Sequence, residues 1–134
     1  MIRLSFAALA LVSSFGAAHA AELTPTDIVN RHMAAAARQD VDAIMADYAD
    51  DAVNLTAGKA VQGKPAIRAV FAGMFKGSGA GTSGMKVTKV WEEGDVGFVT
   101  WTMGPVTGTE EFLVRNGKIL VQTVFISAPP APAG

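Results

Sequence analysis

Apolar side chains recur at helical spacing in three stretches of the first half of the chain. In the second half they recur mostly at strand spacing. Ile28, His32 and Ala36 stand at i, i+4 and i+8, with Val29 and Met33 beside them. This predicts an amphipathic helix whose inward face includes His32. Thr24-Pro25-Thr26-Asp27 opens it: Thr24 caps, Pro25 fits the first turn, and Asp27 complements the positive end of the dipole. The helix is expected to run to about Arg38. Asp40 caps a second helix, with Val41, Ile44, Met45 and Tyr48 on one stripe and Asp42, Ala43, Ala46 and Asp47 facing away. Ala49-Asp50-Asp51 ends it. Over Ala52–Thr56 the period becomes two, with Val53 and Leu55 on one side and Asn54 and Thr56 on the other, which predicts a short strand. Gly63-Lys64-Pro65 opens a third helix. Its stripe of Ile67, Val70, Phe71, Met74 and Phe75 is the strongest in the chain and ends at Gly77.

Gly77 to Gly84 reads as a flexible linker. Its Gly79-x-Gly81-x-x-Gly84 spacing matches a dinucleotide fingerprint, but a helix precedes it and a strand follows. The fingerprint needs strand, turn and helix in that order, so it is rejected. Beyond it the chain is rich in Val, Thr, Trp and Phe. Met85–Glu92 and Val96–Met103 flank a hairpin turn at Glu93-Gly94-Asp95, and Gly104-Pro105 breaks the second strand. Thr109–Arg115 and Lys118–Ser127 flank Asn116-Gly117, the dipeptide that most strongly favours a two-residue hairpin. Simple two-residue pairing sets Glu110 opposite Thr123 and Phe112 opposite Val121. Glu110, Phe112, Val114, Ile119, Val121, Thr123 and Phe125 then share an apolar face expected to meet the helices. Leu113, Leu120, Gln122, Val124 and Ile126 share the other face with charged residues.

Composition narrows the picture. The chain has 134 residues, no cysteine and two histidines. Disulfides, thiolate metal sites and cysteine nucleophiles are excluded, as is a multi-histidine zinc centre. Residues 1–20 carry Arg3, a short apolar run from Leu4 to Val12 and the small-x-small site Ala18-His19-Ala20. This predicts a cleaved secretory signal, a mature start at Ala21 and a periplasmic or secreted location. Lys plus Arg total 11 against 12 Asp plus Glu, and Arg3 leaves with the leader. The resulting slight acidity gives no electrostatic case for nucleic acid or an anionic membrane. Asp47, Asp50 and Asp51 lack the spacing and terminal glutamate of a calcium loop. The domain is expected over 21–127, followed by a loose Pro/Ala tail over 128–134.

The segment Ala46-Asp-Tyr-Ala-Asp-Asp-Ala-Val53, followed by Val61-Gln-Gly63 and Ala66-Ile67-Arg68, resembles the nuclear-transport-factor-2-like superfamily in its SnoaL-like and ketosteroid-isomerase-like branch. The resemblance covers roughly residues 23–127. It implies an α+β fold, a curved antiparallel sheet wrapped around three helices as a cystatin-like cone with an internal pocket. It also implies a homodimer through the outer sheet face, where Leu113, Leu120, Val124 and Ile126 are expected. The fold hosts many chemistries and non-catalytic modules, so it does not by itself assign an activity.

Ketosteroid isomerases use a first-helix tyrosine, an aspartate base after the first strand and a protonated aspartate on a late strand. By the resemblance these positions fall on His32, Thr56 and Glu110. Each keeps its polarity and each has changed identity; Thr56 cannot serve as a carboxylate base. The imidazole of His32 and the carboxylate of Glu110 remain as the candidate catalytic pair, with the carboxylate orienting the ring and stabilising its protonated form. Asn54, Thr56, Trp101, Phe112 and Thr123 are the candidate substrate contacts. The residues leave two readings open. One is a cofactor-free acid/base enzyme, of isomerase, dehydratase or lyase type, acting on a small apolar or aromatic molecule. The other is a non-catalytic binding or dimerisation module. No cofactor or metal is called for.

Overall fold

A computed structural model of the chain describes residues 21–77 and 84–127. The expected leader, the linker interior and the expected tail lie outside the described residues. Three helices, α1 (Pro25–Ala37), α2 (Val41–Asp47) and α3 (Lys64–Gly77), combine with six strands: β1 (Tyr48–Thr56), β2 (Lys59–Gln62), β3 (Lys86–Glu93), β4 (Val96–Met103), β5 (Val106–Arg115) and β6 (Lys118–Ser127). The strands form one sheet in the order β2-β1-β6-β5-β4-β3. Every pairing is antiparallel except β1 with β6, which is parallel. The sheet is curved and unclosed, and the helices cover its inner face.

The local signals act as expected at α1. Thr24 and Asp27 form a reciprocal capping box, and Pro25 stands in the first turn. Glu92 of β3 adds a second anion at this helix end, its Oε2 accepting the Thr26 N–H at 2.7 Å. That hydrogen bond holds the Glu92 carboxyl below its usual range. Gly97 of β4 lets α1 come close: a Cβ there would stand 2.7 Å from Val29 Cγ2. Ile28 and Val29 are thereby sealed against the sheet, both at 0% exposure.

Three features depart from the sequence expectation. Tyr48 does not end α2 but begins β1, where it pairs with Ile119 of β6. Sheet pairing with a distant strand overrides the helical stripe; both conformations bury the ring, which is 0% exposed. Asp47, expected on the outward face of α2, is fully buried and bonded to Arg31 of α1, with Nε to Oδ1 at 2.6 Å. Lys59–Gln62 forms a short strand joined to β1 through Ala57-Gly58, both at positive φ (52° and 74°). Its four residues are too few to show a period.

The most consequential departure lies in the last hairpin. Asn116 and Gly117 make the expected turn, at φ 51° and 67°, and Arg115 pairs with Lys118. The register then slips. Val114 pairs with Ile119 but Leu113 pairs with Val121, so Leu120 is an extra residue, a β-bulge. Phe112 consequently faces Gln122 rather than Val121, and Glu110 faces Val124 rather than Thr123. Because side chains alternate with period two, one inserted residue exchanges the two faces of everything beyond it. Gln122, Val124 and Ile126 turn inward. Val121, Thr123 and Phe125 turn outward; Phe125 and, in the cavity lining, Ile126 are each 56% exposed at this end of β6.

Candidate functional site

Between α1, α3 and the concave side of the sheet lies a cavity of about 260 Å³. Its walls are apolar. Met33 comes from α1, Val70, Phe71 and Met74 from α3, Met85 from the approach to β3 and Met103 from β4. Val124 and Ile126 of β6 complete the wall. Four methionines in one lining make an adaptable, polarisable surface. The polar groups gather on the sheet: Asn54 and Thr56 from β1, Trp101 from β4, Glu110 from β5 and Gln122 from β6. Alternation along each strand aims these side chains to the same face.

The polar side chains form one connected network with a single direction. Thr56 Oγ1 donates to Asn54 Oδ1 at 2.8 Å, and Asn54 Nδ2 donates to Gln122 Oε1 at 2.6 Å. Tyr48, beneath the cavity, donates its hydroxyl to the same Gln122 oxygen. Gln122 Nε2 donates to Glu110 Oε2 at 2.7 Å, and Trp101 Nε1 donates to Glu110 Oε1 at 2.8 Å. Donation therefore converges on the Glu110 carboxylate. The indole reaches it because Gly108 faces Trp101 across the β4–β5 pair. A Cβ at Gly108 would lie 2.1 Å from Trp101 Cζ2, so the ring lies where any other side chain would stand.

Burial dominates the electrostatics. It pushes the Glu110 carboxyl above its ordinary range, and the hydrogen bonds from Gln122 and Trp101 only partly offset this. Tyr48 is driven well above the usual phenol range, first by burial and then by the charge of Glu110, so its hydroxyl stays a donor. Burial lowers His32 to about 4. His32 is 1% exposed and meets three rings edge-on, with centroids at 5.8 Å to Tyr48, 5.8 Å to Phe71 and 5.1 Å to Phe112. Its Nδ1 has no hydrogen-bond partner among the described residues. The imidazole is neutral near pH 7.

His32, Glu110, Asn54, Thr56 and Trp101 all line the cavity. Phe112 is fully buried against His32 and lies outside the lining. Thr123 is turned to the outer face by the Leu120 bulge, which corrects its expected place among the substrate contacts. The expected charge partnership also differs: both Glu110 oxygens accept from neutral donors, and His32 carries no charge for a carboxylate to stabilise. Gln122, Tyr48 and Gly108 were missed as site residues. The simple hairpin register sets Gln122 on the outer face, and the Leu120 bulge turns it inward. Tyr48 sat on a helical stripe, and Gly108 stood just outside the expected strand. Among the described residues no three His, Cys, Asp or Glu side chains gather as a metal site.

A curved sheet closed over by three helices, with a polar group of strand residues at the base of an apolar cavity, defines a class of small pocket-bearing α+β domains. Within that class the chain belongs to the SnoaL-like domain family, whose family model matches residues 29–121. Several solved structures share the fold. A putative polyketide cyclase from Sinorhizobium meliloti is 26% identical, with 74% of this chain and 94% of that one covered at a TM-score of 0.65. A putative ketosteroid isomerase from Kribbella flavida is 14% identical, with 82% of each chain covered at 0.65. An LEH-like epoxide hydrolase from M. tuberculosis is 16% identical, with 77% and 82% covered at 0.58. No curated protein sequence matches the chain.

Proposed function

We propose that the cavity binds a small, largely apolar molecule and that Glu110 exchanges a proton with it, as the acid/base group of a cofactor-free enzyme. One observation carries this reading: a single carboxylate stands at the base of an apolar cavity with both oxygens held by neutral donors. Burying an ionisable group this way is costly in a pure container. It suits a general base or acid, because desolvation brings the carboxyl closer to neutrality while Trp101 and Gln122 fix its orientation. His32 acts in this reading as a neutral imidazole in the wall. The similarity to a putative cyclase and a putative ketosteroid isomerase supports proton chemistry on a cyclic molecule.

The experiment is hydrogen–deuterium exchange next to a carbonyl, followed by NMR. The panel is one- and two-ring ketones, with and without an amino group. The protein is expected to accelerate exchange for a subset of the panel, and Glu110→Gln to abolish the acceleration. Binding without exchange by the unmodified protein would favour the other reading, a non-catalytic binding module, for which the methionine walls are suited.

We further propose, from the leader-like residues 1–20, a mature protein that begins at Ala21 and works outside the cytoplasm. We propose that two copies pair through the outer sheet face. The apolar residues for that contact are Leu55, Leu113, Val121 and Phe125; Val124 and Ile126, expected there from the sequence, line the cavity instead.

A further inference from the structure

Among the described residues that line the cavity, one side chain carries a formal negative charge and none a positive one. Glu110 is 6% exposed, and no lysine or arginine is among the described residues that line the cavity. His32, also in the lining, is neutral near pH 7, held so by burial. Buried carboxylates are ordinarily matched by a cation, and Asp47 of this same protein is matched by Arg31. Glu110 instead has an indole and an amide.

The hydrogen-bond inventory points the same way. The Trp101 N–H and one Gln122 N–H are engaged by Glu110, the Tyr48 hydroxyl and one Asn54 N–H by Gln122, and the Thr56 hydroxyl by Asn54. Each carboxylate oxygen still has a lone pair to offer. An entering anion would meet a like charge with no cation to offset it. An entering ammonium would supply what the site lacks, a positive charge with N–H donors. Phe71, Trp101 and the thioethers line the same cavity with polarisable walls, which suit the apolar body of an amine. The volume of about 260 Å³ equals roughly nine waters at ~30 Å³ each, room for a body of one or two rings.

We propose that the occupant of the cavity is a small amine, its ammonium seated on the Glu110 carboxylate and its apolar body among the methionines, and that carboxylates and phosphates are refused. This rests on the reading of Glu110 as the ionisable group of the site and adds the class of molecule it receives.

Three probes of nearly equal shape test the inference by calorimetry at neutral pH: phenethylamine, 2-phenylethanol and phenylacetate. The amine is expected to bind about 10-fold or more tighter than the alcohol, a difference of about 1.4 kcal/mol, and phenylacetate not to bind measurably. Glu110→Gln should bring the amine down to the alcohol while the alcohol keeps its affinity. If that variant does not fold, the unmodified protein gives the same information. Its amine-to-alcohol ratio should fall as pH is lowered from about 8 towards 4, because protonation of Glu110 removes the counter-charge. Phenylacetate binding as tightly as the amine, a ratio flat with pH, an unchanged ranking in Glu110→Gln, or an amine that fails to bind at millimolar concentration would each overturn the inference. Loss of ketone exchange in Glu110→Gln without any amine preference would leave the proton-transfer reading standing and remove this one. Amine preference without exchange by the unmodified protein would do the reverse.

Discussion

Among the described residues two carboxylates are buried, and their surroundings differ in kind. Asp47, at the end of α2, is fully buried, with Oδ1 accepting from Arg31 and a side of Arg31 left in water. Burial pushes its carboxyl up, and the Arg31 hydrogen bond and charge pull it back. The pair ties α1 to the start of the sheet and lies away from the cavity. Glu110 is buried nearly as deeply, but its partners are neutral and its surroundings hollow. A desolvated carboxylate held by a fixed cation is a structural joint. One held by neutral donors at a cavity wall keeps its charge deficit for a ligand or a proton to meet.

The largest expected effect separates function from stability at Glu110. Glu110→Gln is expected to lower turnover by about 10²–10⁴-fold; the new NH₂ must face the Trp101 or Gln122 N–H, so the unfolding free energy is expected to fall by about 1–3 kcal/mol. Equal losses in both would make Glu110 another joint. Arg31→Ala is the mirror case. It leaves Asp47 buried without its half-exposed cation and should cost about 1–3 kcal/mol in urea unfolding, with ligand affinity of the folded fraction unchanged. A loss under ~1 kcal/mol would show that Asp47 does not need its partner.

His32 gives the next effect. Its folded value of about 4 lies below the ordinary 6.5, so the unfolded chain binds the proton more readily. The stability it contributes is fully present above the unfolded value and is lost as pH falls through 6.5 towards 4. The loss should approach roughly 3 kcal/mol, at ~1.4 kcal/mol per unit. Glu110 has the opposite sign: its raised value means stability present at low pH and lost as pH rises through the folded value. Denaturant unfolding across this range should show the acid-side slope shrink in His32→Phe, to what Glu92 leaves, and persist in Glu110→Gln.

Smaller changes sharpen the site's geometry. Gly108→Ala places a Cβ against the indole and should cost about 1–3 kcal/mol as overpacking. It should also displace Trp101 from Glu110, visible as a shifted tryptophan emission. Phe125→Asp, on the outer face, should change stability by only about 0.5 kcal/mol yet leave a monomer in sedimentation. A dimer unaffected by that charge would move the interface elsewhere.

Much of this architecture is legible in local sequence because its causes are local. The Thr24–Asp27 capping box, the Asn116-Gly117 turn and the three helical stripes each depend on residues within a few positions of one another. The inward direction of His32 and Glu110 follows from periodicity once each element is placed, whereas Asn54 and Thr56 turn inward although the apolar Leu55 between them is 38% exposed. The tertiary structure decided the rest. Tyr48 became strand because β1 lies beside β6, far along the chain, and Asp47 became buried because that strand starts one residue after it. Gln122 entered the cavity and Thr123 left it because Leu120 bulges. A bulge leaves the apolar–polar alternation of its own strand readable with either face inward. Which face wins is set by the fit of the whole sheet around the helices, a sum of distant contacts that no short stretch of sequence contains.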